Sequence, residues 1–141
     1  MEEEVKKFRV TLSRAIKTLD NVPQDIERFP AGACEVSSIM LMTYLKSQGF
    51  VDLSYVSGIR RPSESGQNQS HSFLKYQNIF IDITGSQFLD CEDEIIFEAN
   101  HPLHKSFKLE NRGESDIYKY SSEGWVNYKP FYEKTIELLN T

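Results

Sequence analysis

Apolar residues recur at helical spacing along the first part of the chain. In residues 3–19 they return every three or four positions, at Val5, Phe8, Leu12, Ile16 and Leu19. This period predicts an amphipathic helix. A second helix is predicted over residues 34–48, where the segment IMLM leaves few polar positions, as is typical of a buried central helix. Gly49 and Phe50 follow, a pattern typical of a glycine-terminated helix.

After the second helix the pattern changes to short strand-like runs. The clearest runs are residues 53–56, 71–76 and 79–84, and weaker ones occur at 95–97, 106–109 and 117–120. Gln77 and Asn78 predict a tight two-residue hairpin. The polar stretch 59–70 predicts an exposed loop, and Pro130 is expected to open a last helix that ends at Leu139. This order of helices and strands predicts an α+β domain with an antiparallel sheet.

Length and composition limit the classes of function. The chain has 141 residues, 39% hydrophobic and 26% charged, with a net charge of −5. We therefore expect a single domain over residues 1–141. The acidic balance argues against a nucleic-acid partner. Because no apolar run is long enough to cross a bilayer and the start MEEEVKKFRV is unlike a signal peptide, we expect no membrane partner and a cytoplasmic location. Export without a signal stays open. No disulfide is expected between Cys34 and Cys91.

Cys34 stands at the predicted start of the second helix, directly after Gly32 and Ala33. A cysteine on an apolar helix is usually a buried packing residue. It can also be a nucleophile, because a helix N-terminus favours the thiolate. The two small residues would then leave room for a substrate backbone, and the Cys34 amide N–H would face an oxyanion. The position alone leaves both interpretations open.

His71 and Asp82 are the candidate base and its orienting partner. A nucleophile needs a base, and the base needs a group that holds it. With Gln77 and Asn78 as the loop, His71 and Asp82 become diagonal neighbours on one face of the hairpin, roughly 7 Å apart at Cβ. A three-residue loop would reverse the faces. The alternative is an outward-facing pair on an edge hairpin.

The order of these pieces resembles the papain-like and transglutaminase-like cysteine enzymes, over about residues 29–88. Arylamine acetyltransferases and certain bacterial effector glutamine deamidases have a similar Cys–His–Asp order, and small bacterial members have a similar "IDIT…QF" ending. The matching pieces are Gly32-Ala33-Cys34, a helix that ends at Gly49-Phe50, then Gly58, His71-Ser72-Phe73, Ile81-Asp82-Ile83-Thr84 and Gln87-Phe88.

The resemblance implies a central helix that carries the cysteine at its N-terminus and packs on an antiparallel sheet, and the hydrophobic pattern adds the N- and C-terminal helices. It implies that Cys34 is the nucleophile, His71 the base and Asp82 the orienter, with no metal or other cofactor. The second oxyanion donor is not identified by the motifs. Gln24 is a candidate only by analogy with the upstream glutamine of papain, where the spacing differs.

The activity that the resemblance implies is acyl transfer from an amide bond through a thioester. The enzyme would act on a protein or peptide substrate as a peptidase, a glutamine deamidase or a transglutaminase. Arg60 and Arg61 precede His71 and could meet an acidic substrate if their loop borders the cleft. The alternative function is a non-catalytic binding or immunity-type protein on the same fold.

A metal site is a further alternative for the second half of the chain. Cys91, His101 and His104, with Asp93, are residue types that bind zinc. Their spacing lacks a C-x-x-C pair, however, and Pro102 is expected to prevent a helical presentation of the two histidines. We therefore expect loop histidines here and no metal.

Overall fold

The first two helices follow the predicted hydrophobic periods. In the computed structural model, which describes residues 1–61 and 66–141, α1 spans Glu2–Thr18 and α2 spans Cys34–Ser47. The buried positions of α1 are Val5, Phe8, Leu12 and Ala15. In α2 every residue from Val36 to Leu45 is buried. The prediction of an amphipathic helix followed by a central, buried one is confirmed.

The end of α2 is a glycine cap with backbone hydrogen bonds that close the last turn. Gly49 has a φ of +94°, which a side chain would strain. The N–H of Phe50 donates to the carbonyl of Leu45 at 3.1 Å, and the N–H of Gly49 donates to Lys46 at 3.0 Å. This pair of bonds is the Schellman arrangement. The chain therefore turns sharply from α2 toward the sheet, as predicted.

Five antiparallel strands form one sheet in the order β4-β3-β2-β1-β5. Helix α2 packs against β1 and β2, so the start of the central helix lies beside the middle of the sheet. The strands are β1 Leu53–Arg60, β2 Gln69–Tyr76, β3 Ile79–Asp82, β4 Ile96–Glu98 and β5 Lys108–Gly113. The predicted α+β class, with a central helix on an antiparallel sheet, is confirmed.

The hairpin of β2 and β3 has the predicted two-residue loop. Tyr76 pairs with Ile79 and Leu74 with Ile81, and Gln77 takes a φ of +53° to make the turn. This register places the side chains of His71 and Asp82 on the same side of the sheet, and both are only 1% exposed. The hairpin therefore turns both groups inward, and the outward-facing alternative is wrong.

The predicted loop over residues 59–70 is wrong at both ends. Ile59 and Arg60 belong to β1, Gln69 and Ser70 to β2, and the pairing continues as far as Arg60 opposite Gln69. Cross-strand pairing therefore extends both strands despite the polar composition, because strand preference depends on neighbours more than on the local sequence. The middle of the predicted loop, residues 62–65, lies outside the described residues.

The later part of the chain holds three more helices, α3 Pro102–Lys105, α4 Ile117–Glu123 and α5 Lys129–Leu139. The strand predicted over residues 117–120 is wrong, because Asp116 caps α4: its Oδ1 accepts from the N–H groups of Tyr118 and Lys119, each at 2.9 Å. The C-terminal helix is confirmed. None of the helices in the described ranges has the length and apolar character that a membrane crossing needs.

Candidate active site

Cys34 is the first residue of α2 and is half-buried. Hydrogen bonding and charge interaction with Cys34 both raise the pKa of His71, which places the thiol beside the imidazole. The preceding Ala33 is buried, and Gly32 has a φ of +69° with open space where a Cβ would stand. The helix start therefore leaves the sulfur approachable, which agrees with the small residues expected there.

His71 lies in the middle of the sheet and is only 1% exposed. Its ring contacts the rings of Phe88, edge-on at 4.9 Å, and Phe107 at 5.8 Å. Its strand partner is Gly58. A Cβ on Gly58 would come within 2.9 Å of the Phe107 Cβ, so a glycine is needed for Phe107 to pack close to the histidine. The imidazole is thus held in an aromatic enclosure.

Asp82 is fully buried and orients His71. Its Oδ2 accepts a hydrogen bond from Nε2 of His71 at 2.6 Å. Its Oδ1 accepts from the N–H of Thr84 at 2.9 Å. Because Nε2 is engaged by Asp82, the other ring nitrogen of His71 is left for Cys34. The sequence-predicted residues Cys34, His71 and Asp82 therefore lie in one connected line.

A second imidazole binds the same carboxylate, and the sequence reasoning placed it elsewhere. Nε2 of His104, on α3, lies 2.7 Å from Oδ2 of Asp82. Pro102 does not prevent a helix, because proline is accommodated at the first position of α3; His104 lies in this helix, whereas His101 is its extended N-cap. The sequence around His104 gives no signal for this contact. The one signal lies at Asp82, since a buried carboxylate has about four acceptor positions to fill.

The contacts of the site set the charge states of its central pair. Burial lowers the pKa of His71, but hydrogen bonds with Asp82 and Cys34 outweigh burial and raise it to about 9. Burial raises the pKa of Asp82, and the hydrogen bonds from His104 and His71 hold it well below its usual range. Near neutral pH the pair is therefore an imidazolium beside a carboxylate.

This raised pKa predicts how stability depends on pH. Below about 6.5, the ordinary value for histidine, folded and unfolded chains both hold the proton and the stabilisation is complete. As the pH rises toward about 9, only the folded chain holds it, so the stabilisation shrinks and is then lost. Urea midpoints measured across this range should fall more in the wild type than in His71→Phe. If the urea midpoints of the wild type and His71→Phe fall equally with pH, His71 is not the group whose raised pKa stabilises the fold.

Gln87 is a further group at the site, and the sequence reasoning gave it no role beyond the "QF" ending. Its side-chain nitrogen lies 3.5 Å from Nδ1 of His71. Its side-chain oxygen accepts from the N–H of Gly32 at 3.4 Å. Gln87 therefore connects the loop before Cys34 to Nδ1 of His71.

The two arginines expected at the substrate have intramolecular partners. The guanidinium of Arg60 makes a paired contact with Asp90, at 2.8 and 2.9 Å, and stacks over Phe107. Arg60 therefore braces the aromatic enclosure of His71, which does not favour the substrate interpretation. Arg61 is exposed and contacts Asn68. Gln24 is also exposed, in a short 3₁₀ turn, and no contact brings it to the site within the described part of the chain.

A second cluster joins Cys91, Asp93 and His101. Nε2 of His101 lies 2.7 Å from Oδ2 of Asp93, and Cys91 is buried. The cluster differs from the metal site considered from sequence, because His104 turns away from it to Asp82. A zinc ion would hold two ligand atoms about 3.3 Å apart, from the usual bond lengths. The 2.7 Å contact is that of a hydrogen bond.

The chain was compared with known protein families, curated proteins and solved structures, and none of the three comparisons found a match. The residues and geometry of the site are therefore the basis for any assignment of function.

Proposed function

We propose that the chain is a cysteine-dependent enzyme that transfers acyl groups from amide bonds through a thioester on Cys34. The observation that carries the proposal is the line from Cys34 through His71 to Asp82. A thiol beside an imidazole, whose other nitrogen is held by a buried carboxylate, has the relation of nucleophile, base and orienter. The family resemblance supports the same assignment.

The first half of the reaction forms the thioester. The Cys34 thiolate attacks the carbonyl carbon, and the new carbon–sulfur bond makes a tetrahedral oxyanion. The N–H of Cys34, one of the unpaired donors at a helix start, faces that oxyanion. The side-chain amide of Gln87 is our candidate for the second donor, in place of Gln24. His71 then gives its proton to the leaving nitrogen as the carbon–nitrogen bond breaks.

The second half releases the acyl group. His71, now neutral, takes a proton from the incoming water or amine, which attacks the thioester carbonyl. The carbon–sulfur bond breaks, and Cys34 returns as the thiolate beside the imidazolium. Water gives a peptidase or a glutamine deamidase, and an amine gives a transglutaminase. A protein or peptide substrate and a cytoplasmic location remain predictions.

An activated ester tests the thioester directly. Incubation with p-nitrophenyl acetate should release p-nitrophenolate and leave one acetyl group on Cys34, because the activated thiol is acylated before the thioester is resolved. Mass spectrometry should find the adduct at Cys34, and hydroxylamine should remove it. Cys91→Ala is the matched control and should acylate normally, whereas Cys34→Ala should not. Equal acylation of both cysteines, or of neither, would exclude the acyl-transfer role and leave a binding function.

A further inference from the structure

We propose that His104 is a positioning residue of this site. Its Nε2–H holds Oδ2 of Asp82, so that the carboxylate stays ionised and aimed at His71. The consequence for Cys34 rests on the proposed function, but the link between His104 and Asp82 does not. The site then contains four groups, Cys34, His71, Asp82 and His104, and the Asp82 carboxylate accepts hydrogen bonds from both imidazoles.

The contacts of Asp82 show why a second donor is needed. Oδ2 receives His71 at 2.6 Å and His104 at 2.7 Å, while Oδ1 receives the N–H and the more distant hydroxyl of Thr84. A buried carboxylate is costly unless its oxygens accept hydrogen bonds. Without His104, Oδ2 would keep one partner, and that partner is the base that must move a proton during the reaction.

The surroundings of His104 favour a polar role over a packing role. Its ring is 2% exposed, stacks on Phe73 at 4.0 Å and meets Phe80 edge-on. Its Nδ1 is buried without a hydrogen-bond partner in the part of the chain described here. A phenylalanine would fill this space without burying that nitrogen. The histidine is therefore explained by its bond to Asp82.

A metal ion held by His71, Asp82 and His104 is the competing explanation, since their ligand atoms lie close together. Two ligands of one zinc ion would stand about 3.3 Å apart. Both imidazole nitrogens are closer than that to Oδ2, at 2.6 and 2.7 Å. These distances are those of hydrogen bonds. The metal content of the purified protein is therefore one of the measurements in the test.

The test separates the hydrogen bond from the packing by means of two variants. His104→Phe keeps a stacking ring and removes the donor, and His104→Gln keeps an N–H at the position of Nε2. Other ionisable groups that face Asp82 are Arg9 from α1 and Cys91. Both are unchanged in the two variants, so a difference between the variants reports His104.

The readout is the acid side of one pH profile, the stability to urea of a Cys34→Ser background. In His104→Phe, Asp82 loses a donor and should take up its proton at higher pH, so the acid midpoint of this profile should rise by about one pH unit. His104→Gln should keep the wild-type midpoint. If His104→Phe only weakens packing, the protein should be less stable at every pH, and the acid midpoint should not move.

The results are decisive in each direction. Unfolding in the Cys34→Ser background does not depend on the thiol, so a shift there supports the link even if Cys34 proves unreactive. If His104→Phe does not fold, a wild-type midpoint in His104→Gln supports the proposal. Equal midpoints in wild type and His104→Phe would overturn it, as would a shift in His104→Gln as large as that in His104→Phe. Stoichiometric zinc in the wild type that is lost in both variants would also overturn it.

Discussion

Replacing His71 with alanine is expected to slow the alkylation of Cys34 by iodoacetamide about tenfold at neutral pH, because an ordinary thiol is only a few per cent thiolate there. In the wild type, His71 carries its proton near neutral pH, since its pKa is raised to about 9 despite burial, by its bonds to Asp82 and Cys34. A positive charge next to a thiol generally favours the thiolate, which is the form that reacts with iodoacetamide. The rate constant follows from the mass-spectrometric time course of the Cys34 adduct.

The control for this experiment is Lys75→Ala, on the same strand as His71 and half-buried. It removes a cation from β2 without touching the site, so the Cys34 rate should not change. If both variants slow the reaction equally, the slower rate is a general consequence of substitutions in β2 and not of losing the imidazole. If His71→Ala reacts as fast as the wild type, Cys34 is not activated by the imidazole.

The second large effect is on stability. Asp82→Asn should lower the free energy of unfolding by about 3–5 kcal/mol, the cost of breaking a buried ion pair by removing one partner. Asp82 is 1% exposed and binds two imidazole nitrogens. Asparagine keeps an oxygen for Thr84 but leaves the protonated His71 buried without a negative charge. Urea unfolding near pH 7 measures the difference.

Asp93→Asn is the matched control, because the chain offers a second aspartate–histidine contact of nearly the same length. Asp93 lies 2.7 Å from His101, but its side chain is 62% exposed. Its replacement should cost less than about 1 kcal/mol, as is usual for exposed pairs. If both variants lose a similar free energy of unfolding, burial does not increase the contribution of the Asp82 contact to stability.

The parts of the fold that could be predicted from sequence are those whose signal is periodic and local. The helix of residues 2–18 shows its buried face directly in the spacing of its apolar residues. The hairpin turn at Gln77 sets the register, and the register sets which side chains face inward. Cys34, His71 and Asp82 could be brought together because they depend on a helix start and one hairpin.

The errors arose where distant contacts outweigh the local pattern. The strands around residues 59–70 are extended by pairing with each other, which polar composition does not reveal. Residues 117–120 have strand-like side chains, but the cap at Asp116 starts a helix. His104 reaches Asp82 across 22 positions of sequence. A contact of that kind depends on how α3 docks, and no local pattern encodes it.

The most direct test of the central claim compares the two cysteines of the wild type in one reaction. Cys91 is the internal control, because it is buried and burial raises its pKa. With limiting iodoacetamide near neutral pH, peptide mapping should find Cys34 alkylated at least about tenfold faster than Cys91. Cys34 labelled no faster than Cys91 would contradict the claim that Cys34 is an activated nucleophile.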